Sequence, residues 1–137
     1  MMATVVRSSE TMPVGSQEQV VLARNLVKKL AASLGFALTD QTKLMTAASE
    51  LARNMVVYAG GGEMLLQELN DGLRKGVRLT FEDHGPGIKD IAQAMVDGYT
   101  TGGGLGLGLS GAKRLVQEFD IASTVGEGTR IIVTQWK

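Results

Sequence analysis

The 137-residue chain carries 14 basic and 14 acidic side chains, and this zero net charge disfavours a protein that coats nucleic acid or an acidic membrane. It has no cysteine and a single histidine, which excludes disulfides, thiolate metal sites and cysteine nucleophiles and disfavours a histidine-based metal centre. No apolar run approaches the roughly 20 residues that cross a bilayer, and the N-terminus lacks the apolar core of a signal peptide, so we expect a single domain over residues 1–137 in the cytoplasm.

Two amphipathic helices are predicted in the first half of the chain. Ser16 is suited to cap a helix that ends near residue 34. Thr39 or Asp40 is predicted to cap a second helix that ends near residue 59, before three successive glycines. Apolar side chains spaced by three and four residues along both segments indicate one face packed against a core.

Five strands and two further helices complete the prediction. The strands are expected at residues 3–7, 63–69, 77–83, 121–125 and 129–136. The helices are expected at residues 89–97 and 108–119. This order predicts an α/β fold, a two-layer sandwich in which helices cover one face of a mixed sheet.

Glu50 and Asn54 form the first pair of interest. They are four residues apart, so on the predicted second helix they lie one turn apart at the margin of its apolar stripe. A carboxylate and an amide in that position are suited to face a cleft. Taken alone, two solvated neighbours are the simpler interpretation, because such pairs are common.

Asp83 is predicted on the apolar face of its strand and is followed by Gly85 and Gly87. An inward carboxylate needs hydrogen-bond donors, because its unpaired burial costs several kcal/mol. The exocyclic amine of a purine would satisfy it, and the glycines would let the backbone pass close to a flat ring. A strand that ends in a turn, with Asp83 bonded to local amides, explains the pattern equally well.

A glycine tract at residues 101–109 leads directly into a predicted helix. Backbone N–H groups at such a helix start favour an anion. The alternating leucines argue against a flexible linker. Residues 106–111 match a dinucleotide-binding fingerprint in spelling, but no strand precedes them, and a P-loop would need a lysine and a hydroxyl residue after its last glycine. Both of these motifs are therefore rejected.

Thr129 follows a Gly-Glu-Gly turn and shares a strand face with Ile131 and Val133. Its hydroxyl is therefore predicted to point into the same space as Asp83. An ordinary hairpin turn is the alternative interpretation.

The order of these motifs resembles the GHKL family of ATPases and kinases, which includes gyrase-, Hsp90-, histidine kinase- and MutL-type proteins. The resemblance covers the chain from about residue 16 onward and implies the Bergerat fold, with nucleotide bound between helices and sheet. Residues 50–54, 82–88, 97–109 and 126–129 are similar to the RsbT-type serine/threonine switch kinases of bacterial stress signalling.

The resemblance also implies roles for individual residues and two ligands, ATP and Mg²⁺. Glu50 would be the general base, and Asn54 would contact the nucleotide and hold Mg²⁺. Asp83 would bind the adenine amine, with Gly85 and Gly87 beside the ring and Thr129 assisting. The phosphates would be held by Gly102, Gly103, Gly104, Leu105, Gly106, Leu107, Gly108 and Leu109.

The function implied is a protein kinase that transfers the γ-phosphate of ATP to STAS-domain proteins of the stressosome and, once released, activates a PP2C-type phosphatase. Two alternatives stay open. One is an RsbW-like anti-sigma factor, which shares the ATP motifs, and the other is a nucleotide-gated interaction module with negligible transfer. Arg53, Lys113 and Arg114 are suited either to phosphate or partner contacts or to a solvated surface.

Overall fold

The computed structural model describes residues 3–96 and 108–137, and within these ranges the chain forms five strands and four helices. In chain order they are β1 (Val5–Val14), α1 (Gln17–Ser33), α2 (Leu38–Ala59), β2 (Gly62–Asn70), β3 (Lys75–Asp83), α3 (Ile91–Ala94), α4 (Gly108–Leu115), β4 (Glu118–Thr124) and β5 (Gly128–Trp136). The predicted α/β class is confirmed. None of the helices in these ranges is long and apolar enough to cross a membrane.

The strands form a five-stranded sheet in the order β1-β2-β3-β5-β4, and each neighbouring pair is antiparallel. The prediction of a mixed sheet is therefore wrong. The reason lies between β1 and β2, where two helices, α1 and α2, carry the chain across the sheet and back. As a result Val14, at the end of β1, pairs with Gly62, at the start of β2, and the two strands run in opposite directions.

The helices pack on one face of this sheet, as predicted. Along the central strand β3, Val77, Leu79 and Phe81 are buried in the core shared with the helices. The intervening Arg78 and Thr80 lie on the other face, because successive side chains of a strand point to opposite sides. α1 and α2 pack side by side, and α2 also contacts α4.

The helix starts differ in their capping. Ser16 caps α1 as predicted, since its hydroxyl accepts a hydrogen bond of 3.2 Å from the backbone N–H of Gln19. The predicted capping of α2 by Thr39 or Asp40 is wrong. α2 begins after Ala37, which offers no side-chain bond, and both predicted capping residues lie inside the first turn.

The C-terminal part of the chain enters the sheet earlier than the sequence predicts. The helix expected at residues 108–119 ends at Leu115, and β4 begins at Glu118. Gln117 lies between them and is tied to β5 at two points. Its backbone N–H donates to the side chain of Gln135 at 2.9 Å, and its own side-chain oxygen accepts from the backbone of Trp136 at 2.6 Å.

Leu79→Ala is expected to lower the free energy of unfolding by about 2–5 kcal/mol, because it removes a side chain that is 0% exposed in the middle of the central strand. Leu73→Ala is the matched control. Leu73 is 91% exposed at the β2–β3 turn, so its truncation is expected to change stability by less than about 0.5 kcal/mol. Urea unfolding of both variants measures the difference. Equal losses would show that the core is not centred on β3.

Candidate functional site

A cleft of about 780 Å³ opens between α2, the ends of β3 and β5, the loop after β3 and the start of α4. Its volume lies in the range of roughly 300–1,000 Å³ that is usual for small-molecule sites. Five of the residues singled out in the sequence line it together: Glu50, Asn54, Asp83, Gly87 and Thr129. Gly108 and Leu109, the first residues of α4, also line it.

Asp83, the last residue of β3, presents one carboxylate oxygen to the protein and leaves the other available. Its Oδ1 accepts hydrogen bonds from the backbone N–H of Gly85 at 2.9 Å and from that of Thr129 at 3.3 Å. Across residues 3–96 and 108–137, no donor reaches Oδ2. The local-turn interpretation of Asp83 is therefore correct for one oxygen, while the other is free to accept a bond from a ligand.

The loop after Asp83 follows a path that only glycine fits. A side chain at Gly85 would overlap Ala59 at the end of α2. Gly87 has a φ of +78°, and a side chain there would also overlap the backbone carbonyl of Thr124. These two glycines therefore hold the loop against α2 on one side and against the β4–β5 hairpin on the other.

Ser123 on β4 is a site residue that the sequence reasoning missed. It pairs across the hairpin with Thr129, and their side-chain oxygens are 2.8 Å apart. The Ser123 hydroxyl also accepts from the backbone N–H of Ile88 at 2.7 Å and lies 3.1 Å from the carbonyl oxygen of Gly128. The alternation of side chains along β4 is the sequence signal that points to it. Ser123 follows Phe119 and Ile121 on the inward face of the strand, where a third apolar residue would be expected.

Glu50 is buried in the wall of the cleft, with 7% of its surface exposed. Its neighbour in the structure is Arg53, whose guanidinium is 3.9 Å from Glu50 Oε2, the outer limit of an ion pair. Within the described ranges no hydrogen-bond donor reaches the carboxylate. Burial of a weakly paired carboxylate costs free energy, and such groups are concentrated at functional sites. The solvated-neighbour interpretation of Glu50 is therefore excluded.

Asn54 lies one turn after Glu50 and is half-buried at the cleft. Asp83 lies nearer the C-terminal end of α2, because Gly85, two residues after Asp83, packs against Ala59 at that end of the helix. Glu50 and Ala59 are nine positions apart, which corresponds to about 14 Å along a helix. The cleft therefore has a free acceptor at one end and the Glu50–Asn54 pair at the other.

The remaining predicted residues fall into two groups. Gly102, Gly103, Gly104, Leu105, Gly106 and Leu107 lie outside the described residues. The sequence leaves the roles of three cationic residues undecided. Of these, Arg53 lines the cleft, whereas Lys113 and Arg114 are exposed near the end of α4. Arg53 is thus the one of these three whose side chain the structure places at the site.

No group of three or more histidine, aspartate or glutamate side chains converges as a metal site anywhere in residues 3–96 or 108–137. A Mg²⁺ ion that binds together with substrate phosphates needs few protein ligands, because phosphates and water complete its coordination. The side-chain oxygen of Asn54, at the cleft and one turn from Glu50, fits that kind of site.

The part of the chain that lines this cleft is similar to known proteins. Residues 39–137 match the family model described as "Histidine kinase-, DNA gyrase B-, and HSP90-like ATPase". The chain is 48% identical over 117 residues to a serine/threonine-protein kinase, RsbT, of Bacillus subtilis, which covers 85% of this chain and 88% of the relative. It is 29% identical over 116 residues to an anti-sigma F factor of Clostridium novyi, with 81% of each chain covered.

Two solved structures share the fold. The RsbU and RsbW domains of a Mycobacterium tuberculosis protein superpose with a TM-score of 0.66 and 19% identity, over 95% of this chain. The chain spans about a third of that protein, since the match covers 33% of it. A mycobacterial sensor histidine kinase superposes with a TM-score of 0.56 and 19% identity, covering 93% of this chain and 97% of its own.

Gly87→Ala is expected to destabilise the protein by at least about 1 kcal/mol more than Gly126→Ala. Both glycines have a left-handed φ, +78° and +84°, so both variants incur backbone strain of similar size. A side chain at Gly126 meets nothing within 4 Å, whereas one at Gly87 overlaps Thr124. Thermal unfolding of the two variants tests this. Equal effects would mean that the loop is not held against the hairpin.

Proposed function

The chain belongs to the family of histidine kinase-, DNA gyrase B- and HSP90-like ATPases and, within it, to the RsbT-type serine/threonine-protein kinases; from this premise we propose that it transfers the γ-phosphate of ATP to a hydroxyl side chain of STAS-domain partner proteins in bacterial stress signalling. The observation that carries the proposal is the cleft with two different ends, a free Asp83 oxygen at one and the buried Glu50 at the other. Such a cleft suits a substrate with a neutral base at one end and the reacting group at the other.

The adenine binds at the Asp83 end. Its exocyclic amine donates to Asp83 Oδ2, the oxygen that has no donor within the described ranges. The backbone at Gly85 and Gly87 runs beside the ring, and the Thr129 hydroxyl assists at the base. Because Oδ1 is already fixed by two backbone N–H groups, the carboxylate is oriented before the nucleotide arrives, which lowers the entropic cost of binding.

The phosphates lie toward the start of α4, where Gly108 and Leu109 line the cleft. The first backbone N–H groups of a helix have no partner inside the helix, and its dipole favours negative charge at that end. The proposed contacts of residues 102–107 with the phosphates stay a prediction from the sequence. When bound, a Mg²⁺ ion held by Asn54 would neutralise phosphate charge.

Glu50 acts as the general base. The hydroxyl oxygen of the protein substrate forms a bond to the γ-phosphorus while the bond from that phosphorus to the β,γ-bridging oxygen of ATP breaks, and ADP leaves with the electron pair. Glu50 takes the hydroxyl proton. Little covalent chemistry is required of the protein, because phosphoryl transfer depends mainly on positioning and charge stabilisation.

STAS-domain substrates and a PP2C-type phosphatase, activated when the kinase is released, are the partners that we propose. They are supported by the identity with the RsbT kinase and by the fold shared with a structure that contains RsbU and RsbW domains. The anti-sigma factor is the second candidate, because anti-sigma F factors match at 29% identity over a similar length. The 48% identity to the kinase favours the first.

Mass spectrometry of a STAS-domain protein from the same organism, incubated with this chain and Mg-ATP, tests the proposal. We expect a mass increase of one phosphate on a serine or threonine. Pull-down with the same chain separates the two candidates, since a STAS scaffold and a phosphatase are expected for the switch kinase and a sigma factor for the alternative. Absence of phosphate transfer under conditions of ATP binding would favour a nucleotide-gated interaction module.

Asp83→Asn is expected to weaken ATP affinity roughly 10- to 100-fold while the fold survives. The amide oxygen of Asn can still accept from Gly85 and Thr129, but the free acceptor Oδ2 becomes an NH₂ group that faces the donor amine of adenine. Isothermal titration calorimetry measures the affinity. Asp120→Asn, an exposed change on β4, is the control, and unchanged affinity in Asp83→Asn would reject the proposed contact.

Glu50→Gln is expected to bind Mg-ATP with little change but to transfer phosphate at least about 100-fold more slowly, the usual scale when a general base is lost. Single-turnover assays with a STAS-domain substrate measure the rate. Glu82→Gln on the opposite face of the sheet is the matched control. A near-normal rate in Glu50→Gln would remove Glu50 from the mechanism.

A further inference from the structure

The Ser123 hydroxyl lies at a junction of three chain segments beside the proposed adenine site. It accepts from the backbone N–H of Ile88 in the loop after β3, at 2.7 Å. It is 2.8 Å from the Thr129 hydroxyl at the start of β5 and 3.1 Å from the carbonyl oxygen of Gly128. Thr129 lines the cleft, whereas Ser123 is not among the residues that line it. Ser123 therefore contacts the site through Thr129.

A count of protons limits the states of this junction to two. A serine hydroxyl has one proton and two lone pairs. In the first state Ser123 donates to the Gly128 carbonyl, and Thr129 donates to Ser123, so Thr129 has only lone pairs left for a ligand. In the second state Ser123 donates to Thr129, and the Thr129 proton is free to point into the cleft.

We propose that Ser123 is a positioning residue that sets the direction of the Thr129 hydroxyl proton and so lets Thr129 read the purine edge beside Asp83. This inference rests on the proposed function. When adenine binds, the junction is in its second state, with Thr129 as a donor next to the acceptor Asp83 Oδ2. Ser123 keeps its bond from Ile88 in both states, so one of its lone pairs stays occupied. Between the two states the Ser123 proton turns from Gly128 to Thr129, and the Thr129 proton turns from Ser123 into the cleft.

The resulting pair of groups matches adenine and mismatches guanine. Adenine presents an amine donor at C6 and an acceptor at N1, which complement an acceptor at Asp83 and a donor at Thr129. Guanine presents an acceptor at C6 and a donor at N1, the reverse order. A buried polar group left unpaired by the wrong ligand lowers affinity more than a hydrogen bond to the right one raises it. The position of one proton therefore contributes to base selectivity.

The test compares ADP with 1-deaza-ADP, which carries CH in place of the ring N1 and so cannot accept a bond from Thr129. ADP analogues are used so that turnover does not affect the measurement. We expect the wild-type chain to prefer ADP by about tenfold, the scale of one buried hydrogen bond. In Ser123→Ala the Thr129 hydroxyl is no longer oriented, and the preference is expected to fall below about threefold.

Two controls separate this role from general damage to the loop. Ser123→Ala also removes the bond to Ile88, so its affinity for all nucleotides is expected to fall. The affinities for ADP and for 7-deaza-ADP, which is altered on another edge of the base, are expected to fall by the same factor. Thr124→Ala, an exposed change on the same strand, is expected to keep the wild-type preference for ADP over 1-deaza-ADP.

A double-mutant cycle with Thr129→Val completes the test. If Ser123 acts through Thr129, the ADP preference is already lost in Thr129→Val, and adding Ser123→Ala changes it no further. The inference is overturned if Ser123→Ala keeps the tenfold preference, or if Thr129→Val does. If Ser123→Ala fails to fold, Ser123→Cys, whose thiol is only a weak donor and acceptor, takes its place and is judged by the same preference. Failure of the wild-type chain to bind ADP at all would instead defeat the proposed function.

Discussion

The contact between the end of β3 and the start of β5 determines the arrangement of the rest of the site. Asp83 pairs with Thr129 in the sheet, and its side chain bonds to the Thr129 backbone as well. Gly128, just before Thr129, has no room for a side chain because one would overlap the Asp83 backbone. The same junction holds the loop after β3 through Ser123 and Ile88. This contact therefore fixes the Asp83 carboxylate and helps to position the loop that follows it.

Much of the fold could be predicted from side-chain periodicity. The apolar stripes of α1 and α2 and the alternation along β3 gave the correct faces, since Val27, Leu51 and Leu79 are all fully buried. The direction of the strands could not be predicted this way, because alternation has the same period in parallel and antiparallel sheets. The end of α4 was also missed. It depends on Gln117 bonding to Gln135 and Trp136, which lie 18 and 19 residues away.

The candidate site was predictable where its residues are close in the sequence. Glu50 and Asn54 are one helical turn apart, and Asp83, Gly85 and Gly87 form one short motif, so local geometry places each set together. For Ser123 the alternation along β4 shows only that a polar side chain lies on the inward face, because its partner Ile88 is 35 residues earlier and the sequence does not place the two together. The sequence also does not show where the Arg53 side chain points. A residue at the edge of an apolar helix stripe can face either the cleft or the solvent, and helical spacing does not distinguish the two.

The two ends of the cleft are fixed in position by different interactions, and the difference fits the tasks that we propose for them. At the Asp83 end, backbone N–H groups hold the carboxylate, so its position depends on two strands, β3 and β5, that are each paired on both sides. At the other end, Glu50 is held by the packing of α2, whose neighbouring Leu51 is fully buried, while its carboxylate has only a long contact to Arg53. A carboxylate fixed through its helix, with only a long contact to Arg53, is well placed for the role of proton acceptor that we propose for Glu50.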